Sequence, residues 1–598
     1  MVLDQFAHVI AMVEYDLLIR NGLIVDGTGK APFKGSVAIK ADQIAGVGEL
    51  REAGAGRVID AKGSVISPGF IDAHGHADHT ILLYPLAESY LEQGVTTCMC
   101  GNCGFTPAPL KDHWLSLFWD MDAFYELRPF KYYSPEIVPL EEFRQKAKEL
   151  YGLDIDWKSF PEFVTRLQKV HFSLNLATFV GHNTIRVAVM GVDQKRRPTE
   201  NEMGEMKGHV EKAMEAGAWG LSTGLDYPPG VFSETEEIVE LAKVAAKHGG
   251  IYSTHWRRTG LRREQTIPQE KIQGLIEAVG IGKRVGIPVQ ISHLLSGYTI
   301  TPPPPPILEE ASAKATLDVI DKGVKDGVDV WFDVIPNTTG GVFTSSFLLA
   351  LLSPWVREVG SPQGLAKALA LSDFRSELKE ILNAGKWYAL NAKTDRHWAT
   401  RIQITDSKDK EAIGKTIAEL AQEKGKDALD TLFDLLQRDP DTRALPAAIQ
   451  SETEKATYLR HPRAMVGIDT FAFDYRWETK HIPKIYPHPN TYGGFTRYFR
   501  VYQRELRNLS LEEAVRKVTG SPAQRFGLRD RGMIANGMKA DILVFDPDEI
   551  GDVGDHAEPR KRPRGIRLVL VNGEVAVENG AHTGRTPGVL IRKPTDQR

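Results

Sequence analysis

Short apolar runs that alternate with helical segments dominate the middle of the chain. Eight of these runs are typical of buried strands, because they are short and rich in β-branched residues. They are Val65 to Ile71, Val95 to Cys100, Ser173 to Val180, Trp219 to Thr223, Gly250 to Thr254, Pro288 to Ser292, Val328 to Val334 and Ala464 to Ile468. Helices are predicted between them, such as Glu236 to Lys247, and another begins at Ser510, where Ser-x-x-Glu with Glu513 indicates a capping box. Eight alternating units predict an α/β fold, a (β/α)8 TIM-like barrel.

The two ends of the chain carry a different pattern. Residues 14–66 and 531–593 contain short strands separated by turn signals, among them Asn21-Gly22, Asp26-Gly27 and the hairpin signal Asn572-Gly573. Neither tract has enough strands to cover a sheet on both faces. We therefore predict one small β-sandwich built from both chain ends, flanking a barrel over residues 67–530.

Two insertions interrupt the barrel pattern. Residues 107–172 hold a dense aromatic stretch, Trp114 to Tyr133, which we interpret as a helical subdomain packing its own core rather than as a substrate lid. Residues 297–311 contain Pro302 to Pro306, a polyproline II run. A rigid loop at the barrel mouth and a ligand for another domain both remain open for this run.

Two histidines follow the first predicted barrel strand. Side chains two apart on an extended strand point the same way, so His74 and His76 can both reach one metal ion. Alone, such a pair among 17 histidines is equally well explained by chance. Four other predicted strands also end at metal-binding residue types, namely Cys103, His255, His293 and Asp469. Because chemistry lies at these strand ends in a TIM barrel, the six residues predict metal-assisted hydrolysis.

Composition limits the classes of partner. The 598 residues suit a large barrel plus a second module, and 42% hydrophobic with 25% charged residues is typical of a globular protein. The net charge of −4 gives no electrostatic case for nucleic acid or an anionic membrane. We expect a small-molecule substrate, with a homo-oligomer as an open alternative to a monomer.

The expected location is the cytoplasm. Residues 1–12 lack the basic start and unbroken apolar core of a signal peptide, and no 18-residue apolar span occurs. The three cysteines, Cys98, Cys100 and Cys103, cannot form a disulfide framework. A structural zinc or iron-sulfur site is the alternative, although a fourth cysteine is missing. In the favoured interpretation Cys98 and Cys100 lie on a strand and Cys103 alone is a ligand.

A set of motifs extends along nearly the whole chain apart from the two insertions, at residues 16–27, 68–76, 101–104, 181–184, 221–225, 254–255, 460–463, 469, 492–495, 537–541 and 584–588. Together they resemble the D-aminoacylase branch of the amidohydrolase superfamily. The resemblance implies N-acyl-D-amino-acid deacylation, a hydrolysis of linear amides. It is specific because the motifs extend from one end of the chain to the other.

The resemblance also implies a zinc ion held tightly by Cys103, His255 and His293. His74 and His76 would form a second, weaker position, with Asp469 beside both. Thiolate and imidazole are good zinc ligands, and three of them leave a coordination position for water. Asp469 would be catalytic, taking the proton from water and passing it to the departing nitrogen.

Three positions depart from the family pattern. Where the family holds the substrate carboxylate with Lys, Tyr and Arg, this chain has Leu295, Asn337 and Asn490. Arg257 and Arg258 could instead bind the substrate carboxylate from another direction. Since an unpaired buried carboxylate is costly, we hypothesise a non-standard N-acyl or amide substrate, such as a neutral or bulky amide, lactam or imide. An ordinary N-acyl-D-amino-acid deacylase is the alternative.

Other classes stay open. A hydantoinase-like hydrolase of cyclic amides or imides would normally carry a strand-4 lysine, which Gly220 to Gly224 lacks. An inactive scaffold with the same fold would be expected to lose its ligands, yet all six candidates are present. His182 could orient a metal ligand from the second shell or serve only the core.

Overall fold

The computed structural model describes residues 14–50, 55–115, 122, 137–258, 271–298, 305–339, 343–344, 347–387, 390, 392–393, 396–445, 450–480 and 484–594. Within these ranges, no helix is both long and apolar enough to cross a membrane. The polyproline positions 302–304, most of the aromatic stretch 114–133 and the first 13 residues lie outside the described residues.

Strands account for both chain ends and for the centre of the fold. In chain order they are β1 (Tyr15–Ile24), β2 (Phe33–Lys40), β3 (Gln43–Gly48), β4 (Ala55–Asp60), β5 (Val65–Pro68), β6 (Phe70–Asp72), β7 (Val95–Cys100), β8 (His113–Leu115), β9 (Ile137–Pro139), β10 (Asn175–Thr178), β11 (Val180–Gly181), β12 (Gly220–Gly224), β13 (Ile251–His255), β14 (Val289–Ile291), β15 (Val330–Val334), β16 (Phe343–Thr344), β17 (Gln403–Asp406), β18 (Arg443–Leu445), β19 (Ala464–Val466), β20 (Tyr486–Pro487), β21 (Ile542–Phe545), β22 (Ile566–Val571), β23 (Glu574–Glu578) and β24 (Ala581–His582).

Helices fill most of the intervals between these strands. The α-helices are Ala77–Thr80, Glu88–Leu91, Leu140–Tyr151, Phe160–Gln168, His182–Met190, Glu200–Glu215, Thr235–Lys247, Lys271–Val285, Pro306–Lys325, Ser353–Glu358, Pro362–Ala368, Ser372–Asn383, Ile417–Lys424, Ala428–Arg438, Glu452–Arg460, Asn490–Tyr498, Leu511–Val518 and Gly520–Phe526. The side chain of Ser510 caps the helix Leu511–Val518 by accepting from the Glu513 amide, but the Glu513 carboxylate accepts from Arg516, so only half of the predicted capping box is present.

Parallel strands form the centre of a TIM-barrel-like domain. One sheet has the order β10-β7-β6, and the other β11-β12-β13-β14-β15-β19. The Trp219 amide donates to the Thr178 carbonyl at 2.9 Å, between the two sheets. After β19, the Asp469 amide donates to the His74 carbonyl at 2.8 Å, which links the last strand to the segment after β6. The carboxyl ends of these strands therefore share one rim.

The chain ends meet in one nine-stranded sheet. Its order is β24-β23-β22-β21-β5-β1-β2-β3, with β4 beside β1, and β21 runs antiparallel to β5. Side chains alternate between its two faces: Ile542 and Val544 pack in a cluster with Ile19, whereas Leu543 and Phe545 join the main core. The predicted pairing of the ends is confirmed as a single sheet, and the two-layer sandwich stays a prediction.

Three predicted elements need correction. The first barrel strand is interrupted at Gly69, whose amide bonds to Asp541, so Val65–Pro68 belongs to the sheet of the chain ends and Phe70–Asp72 to the barrel. The third predicted strand is likewise split at Phe179. Pro306 is not part of an extended run but the first residue of a helix, a position where its missing N–H costs nothing.

Insertions also differ from expectation. The described part of residues 107–172 contains a β8–β9 hairpin and two helices, and its apolar side chains, such as Trp157 and Phe163, pack into the main core rather than a core of their own. A third insertion between β15 and β19 was not foreseen. Its helices over residues 348–438 bury an independent cluster that includes Leu352, Trp355 and Leu432.

Phe70 tests how strongly aromatic packing in the core stabilises the fold. It is fully buried and stacks on Phe495 and Phe499 with ring centroids 5.7 and 5.1 Å away. Phe70→Ala should lower the free energy of unfolding by about 3 to 5 kcal/mol, because it leaves a cavity among stacked rings. Urea unfolding followed by tryptophan fluorescence measures this. Phe33→Ala is the control, since Phe33 is 42% exposed, and an equal loss in both variants would contradict the packing argument.

Candidate metal centre

Six candidate ligands come to the rim from five strand ends. His74 and His76 follow β6, Cys103 follows β7, His255 ends β13, His293 follows β14 and Asp469 follows β19. Donor atoms of His74, Cys103, His293 and Asp469 all lie within 4.8 Å of one another. The structure thus gathers residues that are up to 395 positions apart, since 469 − 74 = 395.

Cys103 is the centre of the group. Its Sγ lies 3.3 Å from His74 Nε2, 3.6 Å from His293 Nε2 and 3.7 Å from His255 Nδ1. The thiol therefore contacts histidines of both predicted sets, not only the set that the resemblance assigns to the tight zinc.

Asp469 completes the group from the end of β19. One of its oxygens lies 3.0 Å from His76 Nε2 and 3.3 Å from His74 Nε2, and the other lies 3.9 Å from His293 Nε2. The carboxylate consequently lies between the two predicted metal positions.

These spacings fit a metal ion. Zinc bonds of 2.0 to 2.3 Å in a tetrahedron put neighbouring donors about 3.3 to 3.6 Å apart. The distances from Cys103 to the three histidines lie at or within about 0.1 Å of that range. Thiolate, imidazole and carboxylate are also a ligand set that zinc accepts. The residues present can therefore hold a zinc-sized cation.

The charges of the group favour a cation as well. Burial raises the pKa of the Cys103 thiol, but the His74 charge and hydrogen bonds from His255 and His293 outweigh burial and hold that pKa well below its usual value. The pKa of Asp469 is lowered in the same way, against burial, by His74 and His76. Burial lowers the pKa of His76, yet hydrogen bonds with Asp469 and Cys103 raise it to about 9. Two buried anions here thus require positive charge beside them.

The other two cysteines behave differently. Cys98 and Cys100 lie on β7, and burial raises the pKa of both thiols. Their sulphur atoms lie 3.3 Å apart, away from the histidine donors that surround Cys103. This supports the interpretation that Cys103 alone acts as a ligand.

Unusual backbone conformations hold three of the donors. Cys103, His293 and Asp469 have φ values of 57°, 36° and 49°, the left-handed region that side chains other than glycine rarely adopt. Each costs on the order of 1 kcal/mol, and such strain is concentrated at functional sites. The turns redirect the chain after β7, β14 and β19 so that the side chains face one another.

Gly75 explains the spacing of the histidine pair. A Cβ at this position would lie 2.6 Å from the Tyr90 hydroxyl and 2.8 Å from Asp72 Oδ2, and closer still to Cys98 Sγ. Any side chain between His74 and His76 would therefore displace the chain that presents them.

Two buried aspartates support the donors from behind. Asp333 on β15 accepts from the His293 amide at 2.8 Å and lies 3.5 Å from His74 Nδ1. Asp72 accepts from the amides of His74 and Ile468 at 3.0 and 3.1 Å. Sequence reasoning gave Asp333 no role, although a lone acid in an apolar strand is a signal that could have found it.

Two residues proposed near the site are engaged elsewhere. His182 bonds to Glu237 at 2.7 Å and approaches Asn183, and neither is a candidate donor. The Arg257 guanidinium donates to Glu277 and to the carbonyls of Val231 and Ser233, each at 3.0 Å. Its N–H groups are taken up by these partners within the protein. Arg257 therefore has a structural role and does not serve as an alternative anchor for the substrate carboxylate.

The remaining substrate-binding candidates split into two groups. Arg258 lies beside the donors, with a guanidinium nitrogen 2.7 Å from His293 Nδ1. Leu295 packs against the main core. Asn337 accepts from Thr339 at 2.7 Å in a local turn, and Asn490 donates to the Ile468 carbonyl. None of the last three offers a cation to a carboxylate.

Comparison with known proteins agrees with this architecture. The profile described as the amidohydrolase family matches residues 57–279 and 481–577, more than half of the chain and most of the candidate ligands. The chain belongs to the amidohydrolase family.

This amidohydrolase is similar over nearly its whole length to D-aminoacylases. It is 29% identical to the D-aminoacylase of Alcaligenes xylosoxydans xylosoxydans over 97% of this chain and 98% of that protein. It is 30% identical to the N-acyl-D-glutamate deacylase of the same organism, over 97% and 96%.

Solved structures of similar proteins have the same fold as this chain. A crystal structure of D-aminoacylase matches with a TM-score of 0.68 at 29% identity, over 97% of this chain and 100% of that chain. The N-acyl-D-glutamate deacylase of Bordetella bronchiseptica, complexed with zinc and a phosphonate inhibitor, matches with a TM-score of 0.66 at 28% identity, over 97% and 99%. The amidohydrolase thus shares its fold with metal-dependent relatives and has a buried group of donors that suits a metal.

Asp333 should control metal affinity. Asp333→Asn should weaken zinc binding by about 10 to 100-fold, because the carboxylate beside His74 and behind His293 is lost. Competition with a chromophoric chelator measures the affinity. Asp326→Asn is the matched control, as Asp326 is an exposed partner of Lys283, and equal affinities in the two variants would refute the supporting role.

Proposed function

We propose that this amidohydrolase uses zinc to hydrolyse the C–N bond of a linear N-acyl or amide compound that is not bound in the manner of D-aminoacylases. The observation that carries the proposal is the group of His74, Cys103, His293 and Asp469 within 4.8 Å at the barrel rim. The second support is the replacement of the family's carboxylate anchors by Leu295, Asn337 and Asn490.

Cys103, His255 and His293 would hold one zinc tightly, and His74 with His76 would form a weaker second position. Bound zinc polarises a carbonyl and lowers the pKa of water to about 7, which supplies a nucleophile at neutral pH. The three tight ligands are drawn from β7, β13 and β14, so the scaffold fixes their spacing.

Asp469 would act as the proton carrier. His74 and His76 hold its pKa well below the usual range despite burial, and a bound zinc would act in the same direction. An ionised carboxylate at the rim can accept the proton of the attacking water and return it to the nitrogen, since an amine departs poorly unless protonated. One hydrogen bond with His76, at 3.0 Å, keeps it oriented while it does so.

The substrate would differ from an ordinary N-acyl-D-amino acid. At the three anchor positions, one side chain is apolar, the Asn337 oxygen accepts within a local turn, and the Asn490 amide nitrogen donates to the Ile468 carbonyl. A carboxylate placed there would lose charge-assisted hydrogen bonds that no local group replaces. An ordinary N-acyl-D-amino-acid deacylase is the second candidate, favoured by the names of the relatives.

The finer architecture belongs to the same proposal. The eight parallel strands would close into one (β/α)8 barrel over residues 67–530, which the hydrogen bond between Asp469 and His74 supports. The sheet over 14–66 and 531–593 would fold around its own core as a β-sandwich. A cytoplasmic location is consistent with three unpaired thiols.

Zinc and Asp469 should both be required for activity. A chelator should abolish amide hydrolysis and added zinc should restore it. Asp469→Asn should lower kcat by at least about 100-fold, because the proton carrier is lost. Asp474→Asn is the control, since the Asp474 carboxylate caps a turn by accepting from the Arg476 amide. Full activity after chelation, with metal analysis showing no zinc, would refute the proposal.

A substrate panel separates the two candidates. We expect kcat/KM for N-acetyl-D-amino acids to be about 10 to 100-fold below that of the best linear amide, lactam or imide, because the anchor positions lack partners for the α-carboxylate. The panel should include amides that carry a carboxylate at other positions. Efficient turnover of N-acetyl-D-amino acids, selective for the D form, would instead support the ordinary deacylase.

A further inference from the structure

Two cationic side chains without a carboxylate partner lie near the donor group. Arg258 has its Nε buried without a hydrogen-bond partner, and it forms no ion pair within the part of the chain that the structure describes. Lys271 is partly buried, and its ammonium group likewise makes no hydrogen bond or ion pair with the described residues. The charges of Asp226, Cys103 and Asp469 act on Arg258, but among the described residues no carboxylate lies within ion-pair distance of either cation, whereas cations in such places are normally paired.

Packing brings the two side chains to the same part of the rim. Gly274 has no side chain, and this lets the helix Lys271–Val285 touch the Arg257 carbonyl, next to Arg258. The Ile272 amide donates to the Gly297 carbonyl at 2.9 Å. The first turn of the helix therefore lies between the segment after β13 and the segment after β14, the strands that carry His255 and His293.

Charges of both signs surround Lys271, and within the described part of the chain none of them forms an ion pair with it. Burial and the nearby charge of Arg258 lower its pKa, and Arg401 adds a further positive charge. Glu454 has the largest opposing charge, and its Oε1 accepts from the Ser296 amide at 2.6 Å and from Gln450 at 3.0 Å rather than from Lys271. The other acid that acts on Lys271 is Asp226, which lies 3.9 Å from His255 Nε2.

Arg257 shows what a paired cation looks like in the same segment. It is buried and bonded to Glu277 and two carbonyls, whereas Arg258 has one contact with an imidazole and stacks on the Trp256 ring at 5.6 Å. The first described turn of the helix Lys271–Val285 contains no acidic residue beside Lys271.

We propose that Arg258 and Lys271 bind a carboxylate of the substrate, from the side of β13 and β14, in place of the anchors missing at Leu295, Asn337 and Asn490. This inference rests on the proposed function and narrows its substrate to acidic amides. The guanidinium can bind a carboxylate through two hydrogen bonds, and the ammonium adds a point charge. Both act by positioning the substrate against the rim.

Lys271→Met tests the inference with two pairs of substrates. In the first pair, N-acetyl-leucine is compared with N-acetyl-leucinamide in both stereochemical forms, so that the carboxylate lies on the amine side. In the second pair, N-succinyl-benzylamine is compared with its carboxamide, so that the carboxylate lies on the acyl side. The wild type should prefer the carboxylate in one pair, and Lys271→Met should lower kcat/KM for that substrate about 10 to 100-fold while sparing its carboxamide.

Two matched variants control the experiment. Lys283→Met removes an exposed lysine of the same helix, paired with Asp326, and should leave both pairs unaffected. Lys271→Arg should retain the carboxylate preference because it keeps the charge. The inference is overturned if the wild type shows no carboxylate preference in either pair, or if Lys271→Met slows acid and carboxamide equally.

A binding measurement separates this inference from the proposed function. Glutarate should raise the thermal unfolding temperature of the zinc-loaded wild type, and Lys271→Met or Arg258→Met should remove the effect. Glutaramide should have no effect on any variant. Glutarate binding that depends on Lys271 without hydrolysis of any amide would support the anion site and refute the proposed function. A glutarate effect that is equal in all variants would refute the anion site.

Discussion

The requirement for positive charge beside two buried anions governs the centre of this protein. Cys103 and Asp469 are held ionised in a largely buried group, in which 15% of the Asp469 side chain is exposed, and histidines from three strand ends surround them. Isolated anions in such a place would be costly, so the arrangement persists only with cations at its centre. The fold is a means of bringing these residues together and keeping them there.

Rigidity around the donors follows from that requirement. Donors that must lie about 3.5 Å apart cannot be left to flexible loops, and three of them are fixed by left-handed turns. Asp72 and Asp333 hold backbone amides on both sides of the group, which ties β6, β14 and β19 together. The supporting acids thus connect the strands while they orient the ligands.

Much of the barrel and the donor set could be predicted because both depend on local pattern. Apolar runs predict strands, and the carboxyl ends of parallel strands share a rim. The sequence alone could therefore predict that His74, Cys103 and Asp469 lie close together. Asp333 was missed because its role depends on which strand lies behind His74. Arg257 and Arg258 are adjacent in the sequence, which therefore could not distinguish their roles. Only tertiary packing gives Arg257 its partner Glu277.

The position of β5 in its sheet has a consequence for biosynthesis. This strand lies between β1 and β21, and β21 begins at Ile542, 474 residues after β5 ends at Pro68. While the chain emerges from the ribosome, one edge of β5 stays open until β21 has been made, and open edges attract other chains. A prematurely terminated product would keep that edge, so chaperone protection during translation would matter more for this protein than for one whose amino-terminal strands pair early.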